Sequence, residues 1–328
     1  MKKWNVYATR RIPEPAISTI AKECNVLLNN NNRSSIRSDL LDGVRNKDAI
    51  LCTLLDKIDK EVLDSAGPSL KVISSYSTGT DHIDIDEATK RGIYVTTTGD
   101  ILTEAVADLT FALILGISRY IVRGHEMVTQ NQWKYGWDPN LLLGSDIHGS
   151  TIGIFGLGKI GTAVAKRAKG FDMKIIYYKR NSKKNIQIEN ELGAKNVSNI
   201  DELVEKSDFL SLHCPLNSET YHLIDRSKLK RMKKSAYLIN TARGPVVNEE
   251  HLIEALENQW IAGAALDVFE KEPPLPNNPL LKMKNVLLLP HLGSATFSTR
   301  TKMAKVAAEN LLNVLNEKNP IYGANLKS

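Results

Sequence analysis

Cysteines and long apolar runs are both scarce in this sequence, and each scarcity excludes a class of protein. Only three cysteines occur, Cys24, Cys52 and Cys214, and no two of them form a C-x-x-C pair. This sparse, odd-numbered set excludes a disulfide framework and a cysteine-based zinc site, and it is typical of a reducing compartment. No run approaches the roughly 20 consecutive apolar residues of a membrane span, and no signal-peptide core follows Met1. We therefore expect a cytoplasmic protein without a membrane partner.

A concentrated positive charge is missing as well. Lys and Arg number 43 against 37 Asp and Glu, which gives a formal net charge of +6 over 328 residues. The basic residues are scattered along the chain, whereas a nucleic-acid footprint requires a stripe or patch. A small positive excess also suits an enzyme whose ligands are anions. We expect no nucleic-acid partner.

The first hundred residues alternate short β-like runs with amphipathic helical stretches. This alternation indicates βα units and a parallel sheet. The strand-like runs are residues 5–8, 49–53, 71–74 and 94–96, and the helical stretches are 15–23, 35–44, 60–66 and 86–91.

A second series of βα units follows a long apolar helical pattern over residues 103–122, which we expect to be one buried helix. A polar segment over 130–150, with Trp133 and Trp137, separates the two series and is expected to form an extended arm. The later strand-like runs are 151–155, 173–178, 209–213, 236–240, 262–268 and 286–289. A last helical run at 295–315 would return the chain to the first unit. The sequence therefore predicts an α/β protein in which one parallel-sheet unit is inserted into another.

The strongest local signal is the segment Gly156-Leu157-Gly158-Lys159-Ile160-Gly161. A lone G-x-G-x-x-G is weak, and it could be an ordinary glycine turn before a helix. Here it follows a strand-like run and opens a helical one, which is the context of a dinucleotide site. Gly156 would allow the tight turn, Gly158 would let the backbone approach the pyrophosphate, and Gly161 would let helix and strand pack closely.

The next strand-like run ends without an acidic residue. NAD sites place Asp or Glu about 20 residues after the glycines to accept hydrogen bonds from the ribose, but no acid lies between Asp172 and Glu189. Basic side chains would instead attract a 2′-phosphate, and an arginine can grip it with two parallel hydrogen bonds. The alternative is a solvated basic loop. We expect NADP(H) to be preferred over NAD(H), with contacts from Lys179, Arg180, Asn181 and Lys183.

Three later segments place an Arg, a Glu and a His directly after apolar strand-like runs. They are 240–244 (Asn-Thr-Ala-Arg-Gly), 267–273 (Asp-Val-Phe-Glu-Lys-Glu-Pro) and 290–295 (Pro-His-Leu-Gly-Ser-Ala). Ligands of open parallel sheets bind outside the carboxyl ends of the strands. Arg243, Glu272 and His291 are therefore candidates for one catalytic pocket.

These segments, in this order, resemble the D-isomer-specific 2-hydroxyacid dehydrogenase family, in particular its glyoxylate/hydroxypyruvate reductase branch. The likeness extends to residues 77–84, 103–109 and 213–216 and covers nearly the whole chain. It implies two Rossmann-like parallel-sheet domains. An NADP(H)-binding domain at 101–291 would be inserted into a flavodoxin-like, substrate-binding domain at 1–100 plus 292–328.

The resemblance implies roles for the three catalytic candidates. Arg243 would bind the substrate carboxylate and polarise the keto oxygen. His291 would donate a proton during reduction, and Glu272 would hydrogen-bond it and keep it protonated. The implied reaction is hydride transfer from NADPH to a small 2-keto acid such as glyoxylate, hydroxypyruvate or 2-ketogluconate.

The resemblance also implies further binding residues. The cofactor would contact Thr103, Cys214, Pro215, Thr241, Ala242, Arg243, Asp267, His291 and Gly293 in addition to the glycine segment. Asp267 would hold the nicotinamide carboxamide. Backbone N–H groups of Thr78 and Gly79 would take the substrate carboxylate, and Leu54 and Leu55 would close the pocket beside the substrate side chain. Arg243 and His291 would also contact the substrate. A homodimer with the 130–150 arm as its contact is also expected.

Three alternatives remain open. A dinucleotide-sensing co-repressor on the same fold can retain the whole Arg–Glu–His set. Formate dehydrogenase shares the fold but has Gln where Glu272 stands. The run Asp81-His82-Ile83-Asp84-Ile85-Asp86 could suggest a metal site. Asp86 is better interpreted as a helix N-cap, so no metal is expected.

Overall fold

The computed structural model describes residues 3–29, 36–179 and 186–325, and the chain divides into two compact units. Unit 1 comprises Met1–Leu102 and Ser294–Ser328, and unit 2 comprises Thr103–Gly293. Unit 2 therefore interrupts unit 1 in sequence, as an inserted domain does. The expected α/β class with two parallel sheets is confirmed.

Unit 1 contains a parallel sheet in the order β2-β1-β3-β4-β5. This is a flavodoxin-like order, and the chain direction across the sheet reverses between β1 and β3. The strands are β1 (Trp4–Ala8), β2 (Cys24–Leu28), β3 (Ala49–Cys52), β4 (Val72–Ser75) and β5 (Tyr94–Thr96). The helices are α1 (Ala16–Glu23), α2 (Arg37–Gly43), α3 (Lys60–Ala66), α4 (Ile85–Lys90) and, after unit 2, α12 (Phe297–Leu315).

Helix α12 packs on the sheet of unit 1 through a stripe of buried small and apolar residues. Ala304, Ala307 and Leu311 are fully buried in one cluster with Val6 and Leu51 of the sheet. Small side chains let the helix backbone approach the strands closely. Burial of this stripe holds the returning chain on unit 1.

Unit 2 contains a second parallel sheet, in the order β12-β11-β10-β9-β6-β7-β8. Its strand order reverses between β6 and β9, as in dinucleotide-binding Rossmann sheets. The strands are β6 (Thr151–Phe155), β7 (Lys174–Tyr178), β8 (Lys195–Asn196), β9 (Phe209–Leu212), β10 (Tyr237–Asn240), β11 (Gly263–Leu266) and β12 (Val286–Leu288). The helices are α5 (Thr103–Ser118), α6 (Ile121–Thr129), α7 (Lys159–Gly170), α8 (Ile186–Leu192), α9 (Ile200–Lys206), α10 (Arg226–Arg231) and α11 (Glu249–Glu257).

Both faces of this second sheet are covered. Every residue of β9, β10 and β11 is buried, and one hydrophobic cluster lies on each face. Strands buried on both faces read as continuous apolar runs, which is why the sequence pattern located them. Polar side chains that a ligand can reach are therefore expected at the strand ends.

The prediction of one helix over 103–122 is wrong. Helix α5 ends at Ser118, and Tyr120 adopts a left-handed conformation (φ 51°) that a right-handed helix cannot continue. The chain then turns by 63° into α6. In the described ranges no single helix is long and apolar enough to cross a membrane, although α5 and α6 meet that test as a bent pair.

The structure of unit 1 differs from the sequence prediction in two smaller ways, whereas the 130–150 arm agrees with it. Strand β2 was not predicted, because it is an edge strand that follows α1 without an intervening turn. Asp84, not Asp86, is the N-cap of α4, and its side chain accepts a hydrogen bond from the Glu87 N–H at 3.0 Å. Residues 130–150 form neither helix nor strand, and Trp137 is 83% exposed.

Candidate active site

The glycine segment joins β6 to α7 through a tight turn. Gly156 lies at φ 95°, a conformation that side chains other than glycine rarely adopt, and its N–H donates to the Tyr178 carbonyl at 3.1 Å. A Cβ atom at Gly156 would lie 2.8 Å from the carbonyl oxygen of His213. Glycine is therefore required here both by the backbone angle and by the neighbouring strand end.

The start of α7 has the features of a phosphate site. Gly158 is the N-cap and has no side chain to satisfy the first N–H groups of the helix. A Cβ atom at Gly158 would meet nothing within 4 Å, whereas one at Gly161 would lie 2.2 Å from the Gly156 carbonyl oxygen. Open space at the helix N-terminus and close packing one turn later fit a dinucleotide pyrophosphate. Leu157 is buried in the adjoining core.

The end of β7 carries the residues expected to select the cofactor. Lys179 directly follows Tyr178 and is exposed. Arg180, Asn181 and Lys183 lie outside the described residues. The structure therefore places one basic side chain of the four expected contacts at the carboxyl end of the strand that follows the glycine helix.

The end of β9 lies beside β6 at the reversal of strand order. Burial lowers the pKa of His213 to about 3 and raises the pKa of the Cys214 thiol to about 12. Both groups are therefore uncharged at neutral pH. The His213 ring is held by a 2.8 Å hydrogen bond between its Nε2 and the Ser211 hydroxyl. This segment, which ends with Pro215, supplies an uncharged wall and no reactive thiol.

His291 and Glu272 form a direct pair. The His291 Nδ1 lies 2.8 Å from Glu272 Oε2, and both side chains are partly buried. A carboxylate can only accept, so Nδ1 carries the proton and Nε2 is left to exchange a proton with a ligand. Glu272 is itself fixed, because its Oε1 accepts the Phe269 N–H at 3.2 Å. His291 has a left-handed backbone (φ 55°), which costs energy and is typical of functional residues.

Asp267 fastens the segment after β12 to the end of β11. Its two carboxylate oxygens accept the N–H groups of Leu292 at 2.6 Å and Gly293 at 2.8 Å. Burial raises the pKa of Asp267, while these two N–H donors oppose the shift. The His291 N–H also donates to the Asp267 carbonyl at 2.9 Å. The position of His291 is therefore set by main-chain bonds to its neighbour strand.

The segment after β10 carries Arg243. Asn240 folds this turn, since its amide donates to the Arg243 carbonyl at 2.9 Å and its Oδ1 accepts the Ala242 N–H at 3.0 Å. The Arg243 Nη1 donates to the Ala242 carbonyl at 2.8 Å. A Cβ atom at Gly244 would lie 1.8 Å from the Phe269 carbonyl oxygen. The turn that bears Arg243 therefore rests directly on the segment that bears Glu272.

Helix α5 approaches the same region of unit 2. It begins at Thr103, and its Thr110 hydroxyl lies 3.1 Å from that of Thr241. A Cβ atom at Gly293 would lie 3.3 Å from Val106 of this helix. The segments after β10, β11 and β12 and one face of α5 are thus in mutual contact.

The residues expected to bind substrate from unit 1 follow two of its strands. Thr78 and Gly79 follow β4, where the Thr78 hydroxyl donates to the Gly99 carbonyl at 2.6 Å and the Ser77 hydroxyl donates to the Gly79 carbonyl at 2.7 Å. Leu54 and Leu55 follow β3 in a turn, and Leu55 is 44% exposed. Both pairs lie at the carboxyl edge of that sheet.

The sequence interpretation missed a further histidine–carboxylate pair in unit 2. His222 pairs with Glu270, and its Nδ1 lies 3.1 Å from the Asn248 amide nitrogen. Glu270 lies between Asp267 and Glu272 in a segment already singled out. His222 and Asn248, however, are 48 and 22 residues before Glu270 in sequence, and no motif links them. Among the described residues, no group of three or more metal-ligating side chains is placed to hold an ion.

Comparisons with known proteins find relatives over most of the chain. Residues 111–293 match the family model described as the NAD-binding domain of D-isomer-specific 2-hydroxyacid dehydrogenases. A glyoxylate reductase of Thermofilum pendens is 51% identical over 98% of this chain and 94% of its own length. A glyoxylate reductase of Pyrococcus horikoshii is 49% identical over 94% of this chain and 92% of its own.

Solved structures give the same result at the level of the fold. An NADPH-dependent glyoxylate/hydroxypyruvate reductase from Sinorhizobium meliloti, in complex with NADP and malonate, is 30% identical, with a TM-score of 0.87 over 98% of this chain and 97% of that one. A protein of Thermus thermophilus is 42% identical, with a TM-score of 0.88 over 98% and 99%.

Proposed function

The chain belongs to the D-isomer-specific 2-hydroxyacid dehydrogenase family, in its glyoxylate reductase branch, and from this premise we propose that it reduces a small 2-keto acid to the D-2-hydroxy acid with NADPH. Family membership makes it an oxidoreductase with an NAD(P)-binding domain. The observation that carries the proposal is the His291–Glu272 pair at 2.8 Å, at the same edge of the unit 2 sheet as the glycine turn. An oriented proton donor beside a dinucleotide loop is what carbonyl reduction requires.

Reduction of the ketone needs a hydride at the carbonyl carbon and a proton at the carbonyl oxygen. When bound, the nicotinamide supplies the hydride and is itself oxidised. His291 supplies the proton from Nε2 to the oxygen as the C=O π pair moves onto it, and then takes a replacement proton from solvent. Glu272 stabilises the positively charged ring before the transfer. In the oxidative direction the same nitrogen accepts the proton.

We assign the substrate carboxylate and the neighbouring keto oxygen to Arg243. A guanidinium is a planar cation whose parallel N–H donors match a carboxylate. Negative charge that develops on the keto oxygen is stabilised by the same cation and by protonated His291. The contact of Gly244 with the Phe269 carbonyl supports this assignment, because it fixes the arginine turn against the segment that orients the proton donor.

The preference for NADPH rests on charge at the end of β7. An acidic residue there would repel a 2′-phosphate, and Lys179 stands at that end instead. The NADP bound to the Sinorhizobium reductase supports the same choice for this chain.

The function is tested by steady-state reduction of a substrate panel. We expect consumption of NADPH with glyoxylate, hydroxypyruvate or 2-ketogluconate, and the product of hydroxypyruvate should be D-glycerate. Apolar pockets separate such substrates by only about 1–3 kcal/mol per methylene, so several should react with graded kcat/KM. Binding of NADPH without turnover of any 2-keto acid would instead favour the co-repressor alternative, and L-glycerate would contradict the stereochemistry.

Replacing Lys179 should change the cofactor preference. For Lys179→Asp we expect the ratio of kcat/KM for NADPH to that for NADH to fall about tenfold or more. A charge-assisted contact to the 2′-phosphate is then replaced by repulsion. Lys174→Asp is the matched control, because Lys174 is an exposed lysine at the opposite end of the same strand. If both variants alter the ratio equally, Lys179 acts only through overall charge and the 2′-phosphate is bound elsewhere.

A further inference from the structure

His222 is hydrogen-bonded to both segments that carry the proposed catalytic groups of unit 2. Its backbone N–H donates to the Pro245 carbonyl at 2.8 Å, in the turn that follows Arg243. Its ring Nε2 is bonded to Glu270, two residues before Glu272. One residue therefore ties the arginine turn to the glutamate segment.

The neighbours of His222 determine the direction of its bonds. Asn248 is the N-cap of α11, and its Oδ1 accepts the His251 N–H at 3.0 Å. Its amide nitrogen therefore faces His222 Nδ1, at 3.1 Å. An amide nitrogen only donates, so Nδ1 accepts, and the proton of the neutral ring is on Nε2, directed at Glu270. This hydrogen-bond pattern requires no charge on His222.

Glu270 is fixed from a second direction. Its backbone N–H donates to Glu249 Oε2 at 3.2 Å, and Glu249 Oε1 accepts the Asn278 amide at 2.7 Å. The backbone around residue 270 is therefore held to the first turn of α11, while its side chain is held by His222. Movement of this part of the segment would be passed along two residues to Glu272.

The conformation of His222 is itself constrained. Its backbone is left-handed (φ 52°), and its ring stacks on Tyr221 with centroids 4.0 Å apart. Non-glycine residues hold this conformation only where the surroundings over-determine it, and such positions cluster at functional sites. The strained backbone directs the main-chain N–H toward Pro245 and the ring toward Glu270 at the same time.

We propose that His222, through its hydrogen bond to Glu270, is a positioning residue that keeps the Arg243 turn and the Glu272 segment at a fixed distance and orientation to each other. The proposal rests on the proposed reductase function, because hydride and proton transfer require this fixed arrangement of the two segments. His222 touches neither the arginine side chain nor His291 in the contacts described above. It acts on the reaction only through the backbone of the two segments.

The first test replaces His222 by asparagine. Asparagine tolerates a left-handed backbone but is too short to reach Glu270. We expect His222→Asn to lower kcat for 2-keto acid reduction about 10- to 100-fold, the scale of a misplacement near 1 Å. The Kd for NADPH, measured without substrate, should change far less than kcat, because the glycine turn expected to hold the pyrophosphate is formed by β6, α7 and the end of β9. A fall in Tm with kcat unchanged would reduce His222 to a structural residue and overturn the proposal.

The second test separates a hydrogen bond from a charge. Glu270→Gln keeps an acceptor oxygen for the Nε2 proton and should keep near-normal kcat, whereas Glu270→Ala should match His222→Asn. The double variant His222→Asn/Glu270→Ala should be no worse than the poorer single variant, since both remove one interaction. If Glu270→Gln is as damaging as Glu270→Ala, the neutral hydrogen bond is not the working feature. This pair decides the question even where His222→Asn does not fold.

A spectroscopic readout distinguishes this proposal from the function on which it rests. The Nδ1 proton of His291, bonded to Glu272, should give a low-field proton resonance, assigned by its loss in His291→Ala. We expect it to broaden in His222→Asn, because a displaced Glu272 no longer shields it from solvent exchange. The measurement needs no turnover, so it remains informative if the wild-type protein reduces no 2-keto acid. If the unaltered protein is active and this resonance stays sharp and unshifted in His222→Asn, the positioning role is contradicted while the reductase function stands.

Discussion

His291→Ala is expected to lower kcat for 2-keto acid reduction by about 10²- to 10⁴-fold, the usual contribution of a positioned general acid. The substitution removes the ring that is bonded to Glu272 and takes away the cation that this carboxylate would stabilise. Electrostatic contributions from Arg243 and the orientation of the bound reactants would support the residual rate. The measurement is steady-state kcat with saturating NADPH.

The control for this variant is cofactor affinity. The glycine turn is formed by β6, α7 and the end of β9, and its hydrogen bonds do not involve His291. The Kd for NADPH should therefore change far less than kcat, because His291→Ala removes one expected cofactor contact and leaves the glycine turn intact. His148→Ala, at a histidine whose side chain is 79% exposed, should leave kcat unchanged. An unaltered kcat in His291→Ala would show that another group delivers the proton.

The parts of the fold that were predictable from sequence are those with a strong local cause. Buried parallel strands read as unbroken apolar runs, so β9, β10 and β11 were found nearly to their bounds. Polar residues directly after such runs must lie at one edge of the sheet. That rule made Arg243, Glu272 and His291 candidates, and the family resemblance then gave each of them a role. The glycine turn was recognisable because a dinucleotide loop requires glycine at fixed offsets.

The features that were missed depend on contacts between distant parts of the chain. Nothing near Tyr120 indicates a helix break, since the apolar pattern of α5 continues through it and the left-handed residue is not a glycine. The His222–Glu270 bond joins residues 48 positions apart. Its members carry no motif, and only the fold brings β10, β11 and the start of α11 together. A hydrogen bond between two such distant residues leaves no recognisable pattern in any short stretch of the sequence.

The segment from 267 to 272 shows how one short stretch serves both stability and chemistry. Each of its three carboxylates has a different partner. Asp267 accepts from the backbone after β12, Glu270 is bonded to His222, and Glu272 is bonded to His291. Each is paired with a donor, which is the condition for leaving a charged group partly buried without a large desolvation cost. The proton donor is therefore oriented by its own partner, Glu272, and by two further anchors that precede Glu272 in the same segment.

Substitution of Arg243 is expected to have the other large effect. Arg243→Gln should lower kcat/KM for the 2-keto acid about 10³-fold, or about 4 kcal/mol of transition-state stabilisation at 1.36 kcal/mol per factor of ten. The variant loses both the cation facing the keto oxygen and the fork that matches the carboxylate. Arg243→Lys keeps the charge but not the fork, so we expect an intermediate loss concentrated in KM.

The two Arg243 variants together decide between charge and geometry. Arg231→Lys is the control, because that arginine is exposed and pairs with Glu205 on the surface, and its kcat/KM should match the unaltered protein. Added guanidinium ion should partly restore kcat/KM of Arg243→Gln, because it replaces the missing cation. Added formate should not, because it is an anion and the variant lacks a cation. If Arg243→Lys retained full kcat/KM, the planar fork would have no role. If Arg243→Gln did so, the substrate carboxylate and the developing oxyanion would both have to be held by groups other than this arginine.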